Sequence, residues 1–178
     1  AGSGQHFVRE HNERNQRQIS ETLQQFAAWP DEWSEFLDWF YELPLLLDLG
    51  DIRLVHACWD QGLITPFIHQ YPDACIDDDF VRNAVDRDSF AAQVLDRLLR
   101  GTDMRLPHGM TMTGKDGFTR AFFRTKFWEE NPQTYGDIVF QPDGLPDEIA
   151  ARPLSDTQKA ELLVYGQEQP ILFVGHYW

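Results

Sequence analysis

Two short apolar runs, Ile52–Val55 and Ile171–Val174, lie far apart in the sequence and each gives way abruptly to a histidine. The first runs into His56 and the small Ala57; the second runs into Gly175, His176, Tyr177 and Trp178. Aliphatic and β-branched residues at this density predict buried strands. In open α/β sheets, ligands bind beyond the carboxyl ends of the strands. Neutral imidazole is the commonest protein ligand for transition metals. Each histidine can equally be a core residue whose ring is satisfied by a backbone carbonyl.

The rest of the chain surrounds these runs with helical and turn signals. Ala1–Gly4 is a flexible lead. Residues 8–28 predict a polar helix with a sparse stripe of Ile19, Leu23, Phe26 and Ala27, and the polar run 11–18 reads as its solvated face. Pro30 breaks that helix, and Trp33, Phe36, Leu37 and Phe40 give the next one a strong apolar stripe, expected to pack in the core. Leu45–Leu49 and Ile52–His56 read as two strands joined at Gly50 and Asp51. Residues 61–76, with Pro66 and Pro72, read as a loop. The carboxylates of Asp77, Asp78 and Asp79 could bind a hard cation, but fit better at the amino terminus of a helix, where the backbone dipole favours negative charge.

Phe90, Val94, Leu95, Leu98 and Leu99 mark a helix stopped by Gly101. Met110–Thr113 and Phe118–Phe127 predict a hairpin across Lys115, Asp116 and Gly117. Even spacing places Arg120, Arg124 and Lys126 on one face of its second strand. That cationic face can grip substrate phosphates or neutralise neighbouring carboxylates. Residues 131–154 are rich in proline and glycine and read as a long excursion. Ser155 caps a helix reaching about Tyr165, Gly166 ends it, and Pro170 leads into the last strand.

Composition narrows the function classes. The 178 residues suffice for one domain with a real core, and 13 Phe, 6 Trp and 5 Tyr supply the apolar bulk. Fifteen basic against 29 acidic residues give a net charge of −14, which disfavours a nucleic-acid backbone or an anionic membrane as partner. A phosphorylated small substrate stays open, because bound cations reverse the field locally. Cys58 and Cys75 make neither a disulfide framework nor a metal quartet, which suggests a cytoplasmic protein, and Cys58 reads as a small core residue. No apolar run approaches the roughly 20 residues that span a bilayer, and no signal peptide is visible.

Val55-His56-Ala57-Cys58-Trp59-Asp60 and Phe173-Val174-Gly175-His176-Tyr177-Trp178 resemble the last two metal-ligand motifs of the calcineurin-like metallophosphoesterases. Within that superfamily the chain is most similar to the bacterial branch of symmetrical diadenosine-tetraphosphatases and serine/threonine phosphatases. Leu106-Pro107-His108-Gly109, the stretch from Lys115 to Arg120, and Phe127-Trp128 fit the same pattern between them. The resemblance covers about Val8 to Trp178. Three amino-terminal motifs of the family, Asp-x-His, Gly-Asp-x-x-Asp-Arg-Gly and Gly-Asn-His-Glu, do not occur. Gly50-Asp51 and Gly136-Asp137 do not continue as the second of them. The chain therefore reads as one partial domain, residues 1–178, the middle and carboxyl-terminal part of a phosphoesterase cut at both ends.

The resemblance implies an α/β fold, an incomplete calcineurin-like two-sheet sandwich flanked by helices. It implies a phosphoesterase using two divalent ions, with Mn, Fe, Zn, Co and Ni not distinguished, and makes His56 and His176 ligands of that pair. Trp59 and Asp60 would lie beside His56, with Asp60 orienting an imidazole or a water. His108 is a candidate general acid. Substrate is either a phosphorylated small molecule, such as a dinucleoside polyphosphate, or a phosphoprotein. A non-catalytic binding or regulatory module, or an inactive fragment, is the alternative. This chain alone would hold no metal tightly, and an incomplete sheet would leave edges prone to self-association.

Overall fold

The computed structural model describes residues 11–113, 117–140 and 144–177, apart from the side chains of Arg14 and His108. The amino-terminal lead, Lys115 and Asp116 of the predicted turn, and Trp178 lie outside the described residues. The fold is mixed α/β. No described helix is long and apolar enough to cross a membrane. The chain divides into two compact units, Ala1–Leu47 with Gln61–Asp96, and Asp48–Asp60 with Arg97–Trp178.

The first unit is helical. Helix α1 (Glu13–Phe26) begins where the Asn12 side chain accepts the amide of Asn15. Helix α2 (Pro30–Glu42) starts on a proline, whose missing N–H costs nothing in the first turn. Trp33 and Phe36 of α2 lean on Phe26, with ring centroids 5.2 and 5.6 Å away. The expected core packing of the α2 stripe does not occur within the described chain. No α2 residue is buried, and Phe36, Leu37 and Phe40 are exposed. Helix α3 (Gln61–Gln70) replaces the expected loop and contains Pro66. Proline there removes one backbone donor, but Ile64 and Phe67 on the same helix are buried, and their burial outweighs the loss. Helix α4 (Asp78–Asn83) is capped by the Asp77 side chain, which accepts the Phe80 amide at 2.8 Å. Asp78 pairs with Arg82 and accepts the Tyr41 hydroxyl, so the acidic run stands at a helix amino terminus. Phe67, Tyr71 and Phe80 form the aromatic centre of this unit, with centroids 5.1–5.5 Å apart.

Strand β1 (Leu46–Asp48) turns at Gly50, whose φ of 86° is a left-handed conformation that glycine adopts without strain. Strand β2 (Ile52–Val55) follows. The last strand of the chain, β7 (Ile171–Val174), pairs with β2 in parallel, Ile52 opposite Ile171 and Val55 opposite Val174. The sheet order is β1-β2-β7. Helix α5 (Phe90–Arg100) carries its last turn into the second unit, where the Leu98 carbonyl accepts the Ala57 amide.

The second unit also holds strands β3 (Asp103–Arg105), β4 (Met112–Thr113), β5 (Thr119–Arg120) and β6 (Phe122–Arg124), with a 3-10 turn at Pro107–Gly109. The predicted hairpin forms between β4 and β5, Met112 opposite Arg120. The segment expected to continue it is divided at Ala121, and β6 pairs antiparallel with β3 instead. Arg120, Arg124 and Lys126 therefore do not share one face of a continuous strand. The supposed excursion supplies most of the core: helices α6 (Tyr135–Ile138) and α7 (Asp147–Ala150) bury Tyr135, Ile138 and Ile149. Leu145 and Leu154 join them against Leu106 and Phe123. Helix α8 (Asp156–Glu161) is capped by Ser155 and stops four residues earlier than the sequence suggests, at Glu161 rather than Tyr165.

Phe123 is 1% exposed, whereas Phe173 on the sheet is 56% exposed. Phe123→Ala is expected to cost about 3–5 kcal/mol in urea unfolding. Phe173→Ala is expected to stay within about 0.5 kcal/mol of the parent chain.

Candidate functional site

The parallel pairing of β2 with β7 brings the two histidines together. Val55 and Val174 are partners in the last register step, so the residues that follow leave the sheet side by side. The His56 carbonyl then accepts two amides, from Gly175 at 3.0 Å and His176 at 2.8 Å. The imidazole centroids stand 5.1 Å apart, with the ring planes inclined at 54°. His56 is exposed and His176 half-buried. Nε2 of His176 is itself buried and has no hydrogen-bond partner among the described residues. A buried polar atom left unpaired is uncommon and calls for an explanation.

The electrostatics keep His176 neutral. Burial lowers its pKa first, and Arg124, His56 and Arg100 lower it further by repelling a second positive charge. A neutral imidazole is the form that ligates metal. The two rings thus fit as two nitrogen donors. They do not make a full set, because among the described residues no group of three or more His, Cys, Asp or Glu is placed to hold a metal ion.

The other residues singled out from the sequence lie around this pair or apart from it. Trp59 is buried, with the Arg53 guanidinium 4.6 Å from its ring centroid. Arg53, on the central strand, also pairs with Asp48 of β1 at 3.0 Å and reaches Gln169 just before β7, linking the chain on either side of it. Asp60 pairs with Arg97 at 3.4 Å. Cys58 is fully buried, and burial pushes its thiol up to about 12, which makes it a packing residue rather than a nucleophile. His108 lies in the 3-10 turn of Pro107–Gly109.

The three cations separate. Arg124 stands beside Tyr177, its guanidinium 5.6 Å from that ring, and acts on His176. Arg120 lies on the β4–β5 hairpin. Lys126 acts on Asp137, whose carboxyl is held below its ordinary value chiefly by the amides of Gln133 and Thr134.

Three residues that sequence reasoning did not attach to the site do attach to it. The Tyr177 hydroxyl accepts the amide of Thr102 at 3.1 Å. Gly101 lies against the same ring, where an added Cβ would collide with the Tyr177 hydroxyl. Adjacency to His176 was the available signal for Tyr177; the 75-residue separation from Thr102 left no signal for the other two. Comparisons of the chain with protein-family models, with curated proteins and with solved structures return no match.

The depressed pKa of His176 has a consequence for stability. The unfolded chain takes up this proton near the ordinary value of about 6.5, while the folded chain resists it until lower pH. Stability contributed by the neutral ring is present above about pH 6.5 and falls as pH drops through that value. Urea midpoints measured from about pH 7.5 to 5.5 should decline, and His176→Gln should flatten that part of the decline.

Proposed function

We propose that this chain is part of a metal-dependent phosphoesterase of the calcineurin-like type, supplying two imidazole ligands to a dinuclear centre completed by groups outside the described residues. One observation carries the reading: two strand ends distant in sequence place their imidazoles 5.1 Å apart, and one of them has a buried nitrogen with no partner among the described residues. On this reading the β2–β7 pair belongs to the calcineurin-like sandwich. When bound, a divalent pair supplies a polarised phosphoryl group and a water acidic enough to attack at neutral pH.

The chain's own residues hold and orient. His56 and His176 present their imidazoles from a backbone fixed by two hydrogen bonds to one carbonyl. Arg124, beside Tyr177 and acting on His176, is the cation assigned to meet an incoming phosphate, while Arg120 and Lys126, which lie apart from it, are not part of one gripping face. Asp60 and Trp59 support the turn after His56, and His108 is the candidate proton donor to the leaving group. Substrates on this reading are phosphorylated small molecules or phosphoproteins in the cytoplasm. A second copy of the chain would seat on the exposed strand residues Ile171 and Phe173 and show as self-association in sedimentation.

A non-catalytic binding or regulatory module is the second reading, and the lack of a third metal donor among the described residues favours it for the chain by itself. Catalytic zinc sites typically use three protein ligands. Two leave the ion mostly hydrated and weakly held, so little is present to activate water. The 178-residue chain should therefore show no turnover above blank on an aryl phosphate or diadenosine tetraphosphate with manganese, cobalt, nickel or zinc. Turnover abolished by His56→Ala or His176→Ala would mean that the chain carries a complete site and would overturn the two-ligand assignment. For the phosphoesterase reading itself, the direct check is metal contact. Cobalt should broaden the ring signals of both histidines together, and rings untouched by cobalt would remove its support.

A further inference from the structure

The geometry points to Tyr177 as a positioning residue that sets His176 beside His56 by locking onto the end of helix α5. Backbone hydrogen bonds from Gly175 and His176 to His56 fix the path of the chain. They leave the His176 side chain free to rotate about its own bonds. The next residue removes part of that freedom. Its hydroxyl accepts the Thr102 amide at 3.1 Å, just past the last turn of α5.

Gly101 makes room for this contact. With φ of 87° it closes the helix in a left-handed conformation, and the Tyr177 ring carbon bearing the hydroxyl sits 2.9 Å from where a Cβ would be. Thr102 is anchored in turn. Its hydroxyl donates to the Thr125 carbonyl at 3.1 Å, and the Thr125 hydroxyl donates to Thr102 Oγ1 at 2.7 Å, both residues being buried.

The ring is held on its other sides as well. Phe127, Trp128 and Phe140 meet it edge-on, with centroids 5.5, 5.3 and 4.9 Å away, and Arg124 lies over it. The His176 ring meets the Tyr177 ring at 6.1 Å and 82°, so the seat of one limits the rotation of the other. Removing the hydroxyl leaves the Thr102 amide without this acceptor and loosens the seat, while the aromatic packing keeps the fold.

The inference rests on the phosphoesterase reading only for its effect on metal. The ring placement itself is tested without any. In Tyr177→Phe of the full chain, far-UV circular dichroism should match the parent, and the proton–proton cross-peaks between the His56 and His176 rings should be lost. Half-broadening of these ring signals should then need about tenfold more cobalt, as for partners that orient a ligating histidine. A folded Tyr177→Phe chain that keeps the His56–His176 cross-peaks overturns the proposal. If Tyr177→Phe does not fold, the parent chain decides. A cross-peak between the Tyr177 ring and the Gly101 α-protons supports the latch, and its absence overturns it. Cobalt that leaves the parent rings unbroadened sinks the metal reading alone, and the cross-peaks still judge Tyr177.

Discussion

The carbonyl of His56 accepts the amides of both Gly175 and His176, and the candidate site depends on that one acceptor. A parallel strand pair has evenly spaced, slanted hydrogen bonds and cannot be closed by a short turn. Here the two strands are joined only through more than a hundred intervening residues. Their register must then be set by side chains and by what the chain does at the strand ends. Val55 is buried opposite Val174, and past it the chain turns into the fully buried Ala57 and Cys58. A one-residue slip of β7 would send every side chain to the other face. It would also part His176 from His56.

Much of this was legible in the residues. The two apolar runs, the turn at Gly50, the Asp77 cap and the Ser155 cap all rest on local chemistry, and local chemistry is what a sequence displays. The elements it concealed are those held by distant contacts. Helix α3 tolerates Pro66 while burying Ile64 and Phe67, the latter against Tyr71 and Phe80, which no local rule registers. Residues 131–154 look like an excursion because prolines and glycines interrupt them. Their Tyr135, Ile138 and Ile149 nevertheless make the core of the second unit, each delivered by a helix of four residues. The α2 stripe shows the opposite error. Its spacing announces a buried face, and within the described chain the face stays exposed.

The pairing of strand ends at the candidate site was legible in its histidines, and its support was not. Spacing marked His56 and His176 as strand-end residues; which carbonyl, ring or cation lies beside them is set by tertiary packing. Even spacing suggested one cationic face for Arg120, Arg124 and Lys126. The break at Ala121 separates them, leaving Arg124 near His176 and Lys126 near Asp137. In a chain of net charge −14, burial is the main cause that lowers the His176 pKa, and the neighbouring Arg124 adds to it.

The most direct measurement reads the shared acceptor itself. Scalar couplings across hydrogen bonds, detected between the His56 carbonyl carbon and the amide nitrogens of other residues, identify the donors without reference to any ligand. Correlations from His56 to both Gly175 and His176 are predicted, with both amides protected from exchange with deuterated water. Correlations to neither, with both amides exchanging freely, would contradict the account, because the two imidazoles would then have no common backbone to hold them together.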